Sequence, residues 1–180
     1  IEDCAHTMGA QWGKQKSGNF GLAGCFSTQT YKHLNSGEGG LLTSNDEEFM
    51  ARAIIYSGSY MLYERHGASP KAEVFENIRL ETPNYSGRMD NLRASILRPQ
   101  LGNLDNNVER WNERYQLVES KLRQVKGIEV PVRFEEERYV GSSIQFRIPG
   151  ISNSEAKTFI VNNKKLGVEL KWFGNDDPNG

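Results

Sequence analysis

Two short apolar segments of this chain each lead into a polar side chain that could do chemistry. The first, Ile1-Glu2-Asp3, is typical of the end of a buried strand, and residues 22–27 are predicted to form a second strand. The polar, glycine-rich stretch between them, residues 6–21, indicates a loop that returns to the sheet. Lys32 follows the second strand in a turn rich in glycine and serine. This order favours an α/β fold in which Asp3 and Lys32 belong to one site.

A helix is predicted after a third strand at residues 39–43. Ser44 and Glu47 have the spacing of a capping box, with Ser44 as the N-cap of a helix over residues 46–56. Its apolar positions recur at helical spacing, and they are Phe49, Ala53 and Tyr56, with Met50 and Ile54 beside them. Residues 57–87 are predicted to be irregular, and a connection this long is commonly functional.

A long connecting helix is predicted in the second half of the chain. Its apolar pattern runs over residues 88–122, with a bend at Pro99, because proline removes a helix hydrogen bond. Gly127 is predicted to end it.

The remainder of the chain alternates between strand and helix patterns. Strands are predicted at residues 128–130, 143–148 and 168–172, with the acidic run 135–137 as a solvated turn. Ser152 and Glu155 form a second capping box, which begins a helix over residues 153–166. The apolar face of this helix is formed by Ala156, Phe159, Ile160 and Leu166. We therefore expect two domains: residues 1–104, and a small α+β domain at residues 105–180.

The composition excludes several classes of protein. The 180 residues carry a formal net charge of -1, so no positive excess attracts nucleic acid or an anionic membrane. No uncharged apolar stretch approaches the roughly 20 residues of a membrane helix. Cys4 and Cys25 are far apart and lack a Cys/His ligand pattern, which favours reduced thiols over a disulfide scaffold or a zinc site. We expect a cytoplasmic protein without a metal, a nucleic acid partner or a membrane partner.

The lysine and the acid suit the chemistry of pyridoxal phosphate (PLP). A lysine can bind the aldehyde of this cofactor as a Schiff base, and an acid can keep its pyridine nitrogen protonated. Lys32 and Asp3 fit these roles, and Lys32 would also move the proton once an amino donor displaces it. Ser27, at a strand end, could reach the cofactor phosphate. From spacing alone, a solvated lysine, a turn-forming aspartate, a strand-terminal serine and a structural His6 remain alternatives.

Four ordered motifs give the chain a family resemblance. The motifs are Glu2-Asp3-Cys4-Ala5-His6, residues 18–27, residues 31–40 and Asn84-Tyr85-Ser86-Gly87-Arg88-Met89. In these motifs the chain closely resembles the DegT/StrS-type sugar aminotransferases, which are fold-type I PLP enzymes. The motifs cover residues 1–100, and the remainder matches only in layout. The resemblance implies part of the large PLP-binding domain, a mostly parallel sheet with helices, followed by the small C-terminal domain.

The resemblance implies roles for four residues around the cofactor ring and phosphate. In the family, the lysine matching Lys32 forms the internal aldimine, and the acid matching Asp3 pairs with the pyridine nitrogen. The residue matching His6 commonly lies against the ring or its 3'-hydroxyl. The serine matching Ser27 typically hydrogen-bonds the phosphate.

Residues 84–88 are expected to act across a subunit interface. The family works as a homodimer with shared sites, and this segment is usually offered to the cofactor and amino donor of the neighbouring subunit. Asn84 is the expected phosphate ligand, although many members have asparagine at the position of Ser86, which leaves the choice between the two open. Arg88 would pair with the carboxylate of the amino donor.

The activity that the resemblance implies is transfer of an amino group from an amino acid, glutamate, to a keto group of a nucleotide-linked sugar. Such a reaction belongs to the synthesis of amino sugars for polysaccharides or secreted metabolites. Sugar dehydratases of the same fold have a histidine in place of the anchoring lysine, so Lys32 argues against that alternative. A regulatory homologue without turnover, or an inactive fragment, is the other alternative.

Family members also have an N-terminal half, with a phosphate-binding turn and an aromatic residue that stacks on the ring. This sequence contains neither. We therefore expect either a partial sequence or a second polypeptide that completes the fold.

Overall fold

The computed structural model describes residues 1–58 and 67–174. Its strands are β1 (Glu2–Asp3), β2 (Gln11–Trp12), β3 (Gln15–Lys16), β4 (Gly24–Ser27), β5 (Gly40–Thr43) and β6 (Glu137–Arg138). Its helices are α1 (Glu47–Ser57), α2 (Ala72–Glu76), α3 (Asn91–Gly102), α4 (Leu104–Leu122) and α5 (Asn153–Lys165). The chain forms two compact units: Ile1–Leu117 with Arg133–Ile144, and Val118–Val132 with Gln145–Gly180. The predicted domain boundary at residue 104 stays a prediction.

The main sheet of the first unit has the order β1-β4-β5 and is mixed. β1 runs parallel to β4, with Glu2 opposite Gly24. β5 runs antiparallel to β4, from Gly24 opposite Thr43 to Ser27 opposite Gly40. The strands predicted at residues 22–27 and 39–43 are confirmed as β4 and β5. The expected mostly parallel sheet is corrected to a mixed one. The loop that carries Lys32 contains no helix and leads from β4 into the neighbouring strand β5, whereas a parallel connection usually crosses over through a helix.

A second, smaller sheet replaces two predicted loops. Within residues 6–21 the chain forms the hairpin of β2 and β3, with Gly13 at φ 58° in its turn. β6 pairs with β2, and Glu137 accepts a hydrogen bond from Arg133 at 2.5 Å. The interpretation of residues 135–137 as a solvated turn is therefore wrong at Glu137. Strands of two residues are too short for the period-2 pattern that identifies a strand in a sequence.

Helix α1 begins at a different cap from the predicted one. The N-cap is Asp46, whose Oδ1 accepts a hydrogen bond from Phe49 N at 2.8 Å. The predicted N-cap, Ser44, instead donates its hydroxyl to Leu22 O and accepts from Asp46 N. Ser44 therefore joins the end of β5 to the segment before β4, two residues ahead of the true cap.

The buried face of α1 overlaps the predicted set of apolar positions at Ile54. Ala51, Ile54 and Ile55 form a core cluster with Phe75 of α2 and Ile78. The predicted face of Phe49, Ala53 and Tyr56 lines an open apolar groove. Helix α2 corrects the prediction that residues 57–87 are irregular, and residues 59–66 of that segment lie outside the described ones. Because both faces of α1 carry apolar residues, the sequence pattern could not select the buried one.

The long connecting helix breaks four residues later than predicted. Pro99 lies inside α3, and the break falls at Asn103, between α3 and α4. Asp90 caps α3 by accepting from Arg93 N at 2.9 Å. Leu97 is buried against Met8 and Leu34. Helix α3 therefore packs on the segment after β1 and on the lysine loop, residues 28–39, which joins β4 to β5. Helix α4 ends at Leu122, before the predicted stop at Gly127.

The second unit contains α5 and one backbone bridge. The capping box of Ser152 and Glu155 is confirmed, with Glu155 N donating to Ser152 Oγ. Ala156 is the buried residue of the helix, whereas Leu166, predicted on the same face, is 81% exposed. In the part of the chain that the structure describes, the strands predicted at 128–130, 143–148 and 168–172 reduce to a single bridge, Glu129 opposite Arg147. None of the described helices is long and apolar enough to span a membrane.

Gly24 is a position where packing forbids a side chain. A Cβ there would lie 2.5 Å from Gly18 Cα and 2.8 Å from Gly18 O, and backbone atoms cannot turn away. We expect Gly24→Ala to lower the free energy of unfolding of the full-length gene product by about 1–3 kcal/mol, the usual cost of overpacking. Denaturant unfolding measures this. The control is Gly102→Ala, where a Cβ meets nothing within 4 Å. Equal stabilities for the two variants would contradict the packing around β4.

Candidate active site

The parallel pair of β1 and β4 brings two predicted site residues to one edge of the sheet. Asp3 pairs in register with Cys25, and Ser27 lies two residues further along β4. Asp3 is exposed, and its Oδ1 accepts a hydrogen bond from Ala5 N at 3.0 Å. Ser27 is half-buried, and its Oγ accepts from Gln29 N at 3.3 Å. Both residues end their strands, and open α/β sheets bind ligands at the carboxyl ends of their strands.

Lys32 contacts His6 through its amine. Lys32 Nζ and His6 Nε2 are 2.8 Å apart, which is a hydrogen-bond distance. Because both atoms are nitrogens that can donate or accept, one of them donates and the other accepts, according to the tautomer of His6. His6 follows β1 through a turn in which Thr7 N donates to Cys4 O. The pairing of β1 therefore helps to decide where His6 lies.

The loop that carries Lys32 is closed by buried polar groups. Thr28 N donates to Gly39 O, and Ser36 N donates to Thr28 O, each at 2.9 Å. Thr28 is fully buried, and its Oγ1 lies 3.0 Å from Ser36 Oγ. Gly39 has φ 140°, and a Cβ there would come within 2.8 Å of Thr28 Oγ1. Sequence reasoning missed Thr28 and Ser36, since two hydroxyl residues in a loop give no periodic signal.

Two further contacts hold this loop on helix α3. Leu34 is fully buried beside Met8 and Leu97. Asn35 N donates to Gln100 Oε1 at 3.0 Å, and Gln100 Nε2 donates back to Asn35 O at 2.8 Å. The side-chain amide of Gln100 thus satisfies both polar groups of one backbone residue. This contact was also missed, because it joins positions 65 apart in the sequence.

Asn84 and Ser86 form a separate local arrangement. Asn84 Oδ1 accepts a hydrogen bond from Ser86 N at 2.8 Å, and Ser86 Oγ lies 3.4 Å from the same oxygen. Ser86 has φ 54°, a left-handed conformation that few residues other than glycine adopt. Asn84 Nδ2 is buried and has no hydrogen-bond partner among residues 1–58 and 67–174. Within the described residues Asn84 Nδ2 is therefore an unpaired donor, and an unmade hydrogen bond of this kind is costly.

Arg88 is exposed and bonds to the end of α1. Its Nη1 donates to Gly58 O, the carbonyl of the residue that caps this helix. Neither Asn84 nor Arg88 bonds to Asp3, His6, Ser27 or Lys32 in the described part of the chain. The structure therefore brings the predicted site residues together as two groups.

Glu2 orders the loop next to Asp3. Its carboxylate accepts hydrogen bonds from Gly18 N at 2.8 Å, Phe20 N at 2.7 Å and Gly21 N at 2.8 Å. These bonds, that from Gly21 above all, lower the pKa of Glu2 below its ordinary value. One side chain thus satisfies three backbone donors of an irregular segment. Sequence reasoning did not single out Glu2, although an acid beside a glycine-rich loop has the chemistry for such a role.

Known proteins are similar to this chain in sequence. A model of the DegT/DnrJ/EryC1/StrS aminotransferase family matches residues 1–173. The spore coat polysaccharide biosynthesis protein SpsC of Bacillus subtilis is 26% identical over 96% of this chain and 45% of its own length. UDP-N-acetyl-3-dehydro-alpha-D-glucosamine 3-aminotransferase of Acidithiobacillus ferrooxidans is 33% identical over 58% of this chain and 25% of its own length.

Solved structures show the same fold. A Streptococcus pneumoniae protein, Spr1654, assigned as a sugar aminotransferase and solved in its PLP form, superposes with a TM-score of 0.71 at 20% identity. The match covers 93% of this chain and 41% of that protein. The fold is therefore part of the fold of such aminotransferases. The chain belongs to the DegT/DnrJ/EryC1/StrS aminotransferase family and spans less than half the length of these relatives.

The hydrogen bonds of Glu2 predict a pH dependence of the loop at residues 18–21. Because folding lowers the pKa of Glu2, its contribution to stability is present above pH 4.5, the ordinary value, and is lost as the pH falls through the lowered value. We expect Glu2→Gln to speed amide hydrogen exchange at Gly18, Phe20 and Gly21 at neutral pH and to remove this dependence.

The matched control is Glu135→Gln, since Glu135 is exposed and makes no hydrogen bond in the described part of the chain. Exchange at the three amides is measured by NMR from about pH 3 to about pH 7, a range that includes the ordinary glutamate pKa. Unchanged exchange in Glu2→Gln would show that the carboxylate does not hold this loop.

Proposed function

We propose that this chain forms part of a PLP-dependent aminotransferase that moves an amino group from glutamate to a keto group of a nucleotide-linked sugar. The observation that carries the proposal is the 2.8 Å contact of Lys32 Nζ with His6 Nε2 beside the carboxyl ends of β1 and β4. Family membership supports the reaction type. The Acidithiobacillus relative, whose name specifies such a keto sugar, supports the substrate class.

The side chains present fit this cofactor. Asp3 offers a carboxylate at the end of β1 for a protonated ring nitrogen. Asn84 Nδ2, buried without a partner in the described residues, can donate to a phosphate oxygen, which favours Asn84 over Ser86 as the phosphate ligand. Ser27 Oγ can donate a second hydrogen bond there while it accepts from Gln29 N. When bound, PLP supplies a ring that accepts the electrons of a deprotonated amino donor.

Lys32 would bind the cofactor aldehyde and then carry the proton. The amine must lose a proton before it attacks a carbonyl, and His6 Nε2 at 2.8 Å can accept one. After a donor amine has replaced it, the freed Lys32 amine can take the proton from the donor carbon and return it elsewhere. His6 also keeps the lysine side chain in one direction, so that the reacting atoms meet in the correct geometry.

Arg88 and Asn84 would act in a homodimer. They form a group apart from Lys32, and a site that needs both groups can be completed by a second copy of the protein. Arg88 would then pair with a carboxylate of the amino donor, since a guanidinium binds carboxylates through two parallel hydrogen bonds. Lysine at position 32 disfavours the dehydratase alternative, in which a histidine replaces it.

The lysine can be tested by absorbance. The full-length gene product with PLP should show a visible band from the lysine-bound cofactor, and Lys32→Ala should lose both the band and the amino transfer, because the Schiff base cannot form. Borohydride reduction followed by peptide mass spectrometry locates the attached lysine. The control is Lys14→Ala, since Lys14 is exposed in the turn of the β2–β3 hairpin. A band that persists in Lys32→Ala would refute the proposal.

The acid can be tested by kinetics. Asp3→Asn should lower kcat with glutamate or glutamine by roughly 10- to 100-fold, the effect of losing a charge-assisted hydrogen bond of about 1.5–3 kcal/mol. The control is Asp105→Asn on the exposed first turn of α4. Transfer to a nucleotide-linked keto sugar is measured by mass spectrometry. A kcat equal to that of the control would remove Asp3 from the site.

A further inference from the structure

His33, the residue next to Lys32, is held from two sides. Its Nε2 lies 2.7 Å from Ser142 Oγ. Its ring lies 5.2 Å from the Trp111 ring, centre to centre, with the planes tilted by 47°. Trp111 belongs to α4, and Ser142 follows β6, so both contacts come from segments far along the chain within the first unit. A half-buried loop lysine is thus followed directly by a half-buried aromatic anchor.

The surroundings of His33 favour a neutral ring. His33 Nδ1 is buried and has no hydrogen-bond partner in the regions that the structure describes. A protonated ring would carry N–H groups on both nitrogens, and the one at Nδ1 would have no acceptor. Burial, together with the charges of His6 and Lys32, lowers the pKa of His33. The other two groups that contact the ring, Trp111 and Ser142, are uncharged, so neither adds a charge that would raise the pKa of His33.

The backbone of Lys32 is held on its N-terminal side, where Lys32 N donates to Gln29 O at 2.9 Å. Leu34 and Asn35 are held by α3, two and three residues after Lys32. Between the Gln29 contact and the anchors on α3, the side chain of His33 holds the residue that directly follows Lys32. A displacement of about 1 Å in a reacting group can lower a rate by about 100-fold, so the direction in which Lys32 leaves the backbone matters.

We propose that His33 is a positioning residue for Lys32: its neutral ring, bonded to Ser142 and packed on Trp111, fixes the backbone from which the reactive amine extends. Its neutrality also keeps a further positive charge away from the hydrogen bond between Lys32 and His6. The proposal rests on the proposed function, in which Lys32 is the cofactor-binding amine.

The test compares two substitutions that leave Lys32 intact. His33→Ala removes the whole anchor, whereas Ser142→Ala removes only the hydrogen bond and disturbs folding least. In the cofactor-free, full-length protein, both should slow appearance of the visible band after addition of PLP, by on the order of tenfold for His33→Ala. His33→Gln, whose amide nitrogen can reach Ser142, should restore part of the rate. In steady state kcat should fall while the KM for the amino donor stays the same.

The matched control is Ser143→Ala, because Ser143 is exposed and makes no hydrogen bond in the described residues. An unfolding curve for each variant confirms that the protein compared is folded. Wild-type rates in folded Ser142→Ala and His33→Ala would overturn the proposal. Lys32→Ala in the same assay separates the two ideas, since a band that persists there refutes the proposed function itself.

A second readout needs no cofactor. NMR titration of the His33 ring in the cofactor-free protein should show a neutral ring with a single N–H and a pKa below the usual value of about 6.5. Ser142→Ala should move that titration, and Ser143→Ala should not. A His33 ring that titrates at the usual value would overturn the positioning role even where Lys32 binds PLP as proposed.

Discussion

The pairing of β1 with β4 is the constraint on which the rest of the site depends. Two residues of β1 place Asp3 beside Cys25, and the turn that follows them carries His6 to within 2.8 Å of Lys32. So short a strand makes few ladder bonds of its own, and Glu2 compensates by accepting three backbone hydrogen bonds from the loop before β4. Glu2 and Asp3 of β1 therefore serve both the sheet and the candidate site.

The lysine loop is rigid because its polar groups are satisfied internally and its apolar residue is buried. Thr28 and Ser36 pair inside the loop, while Leu34 enters the core and Asn35 bonds to Gln100. Each of the hydrogen bonds among them replaces a bond to water with one inside the protein, which is worth little by itself but costly to leave unmade. Lys32 extends from a loop that is fixed on both sides, so its direction does not depend on its own contacts alone.

Elements with a repeating pattern or a cap could be predicted from the sequence, and contacts between distant segments could not. The capping box at Ser152 and the strand at β4 follow from local rules. The N-cap of α1 was misplaced because Ser44 and Asp46 both suit the position, and only the bond of Ser44 to Leu22 O decides between them. At the site, residue types suggested Asp3 and Lys32, but Gln100, Trp111 and Ser142 lie 65 or more positions from their partners and left no local signal.

The side chains of Lys32 and His6 meet at hydrogen-bond distance, whereas the next residue, His33, contacts Trp111 and Ser142. Lys32 Nζ and His6 Nε2 are 2.8 Å apart, so one of the two nitrogens donates and the other accepts. Among the described residues, His33 Nδ1 has no acceptor for a second N–H, which favours a neutral ring. The lysine amine therefore has a basic partner in His6, beside a residue whose ring is held by Trp111 and Ser142. Such an arrangement suits a lysine that must alternately give up a proton to bind a carbonyl and take one from carbon.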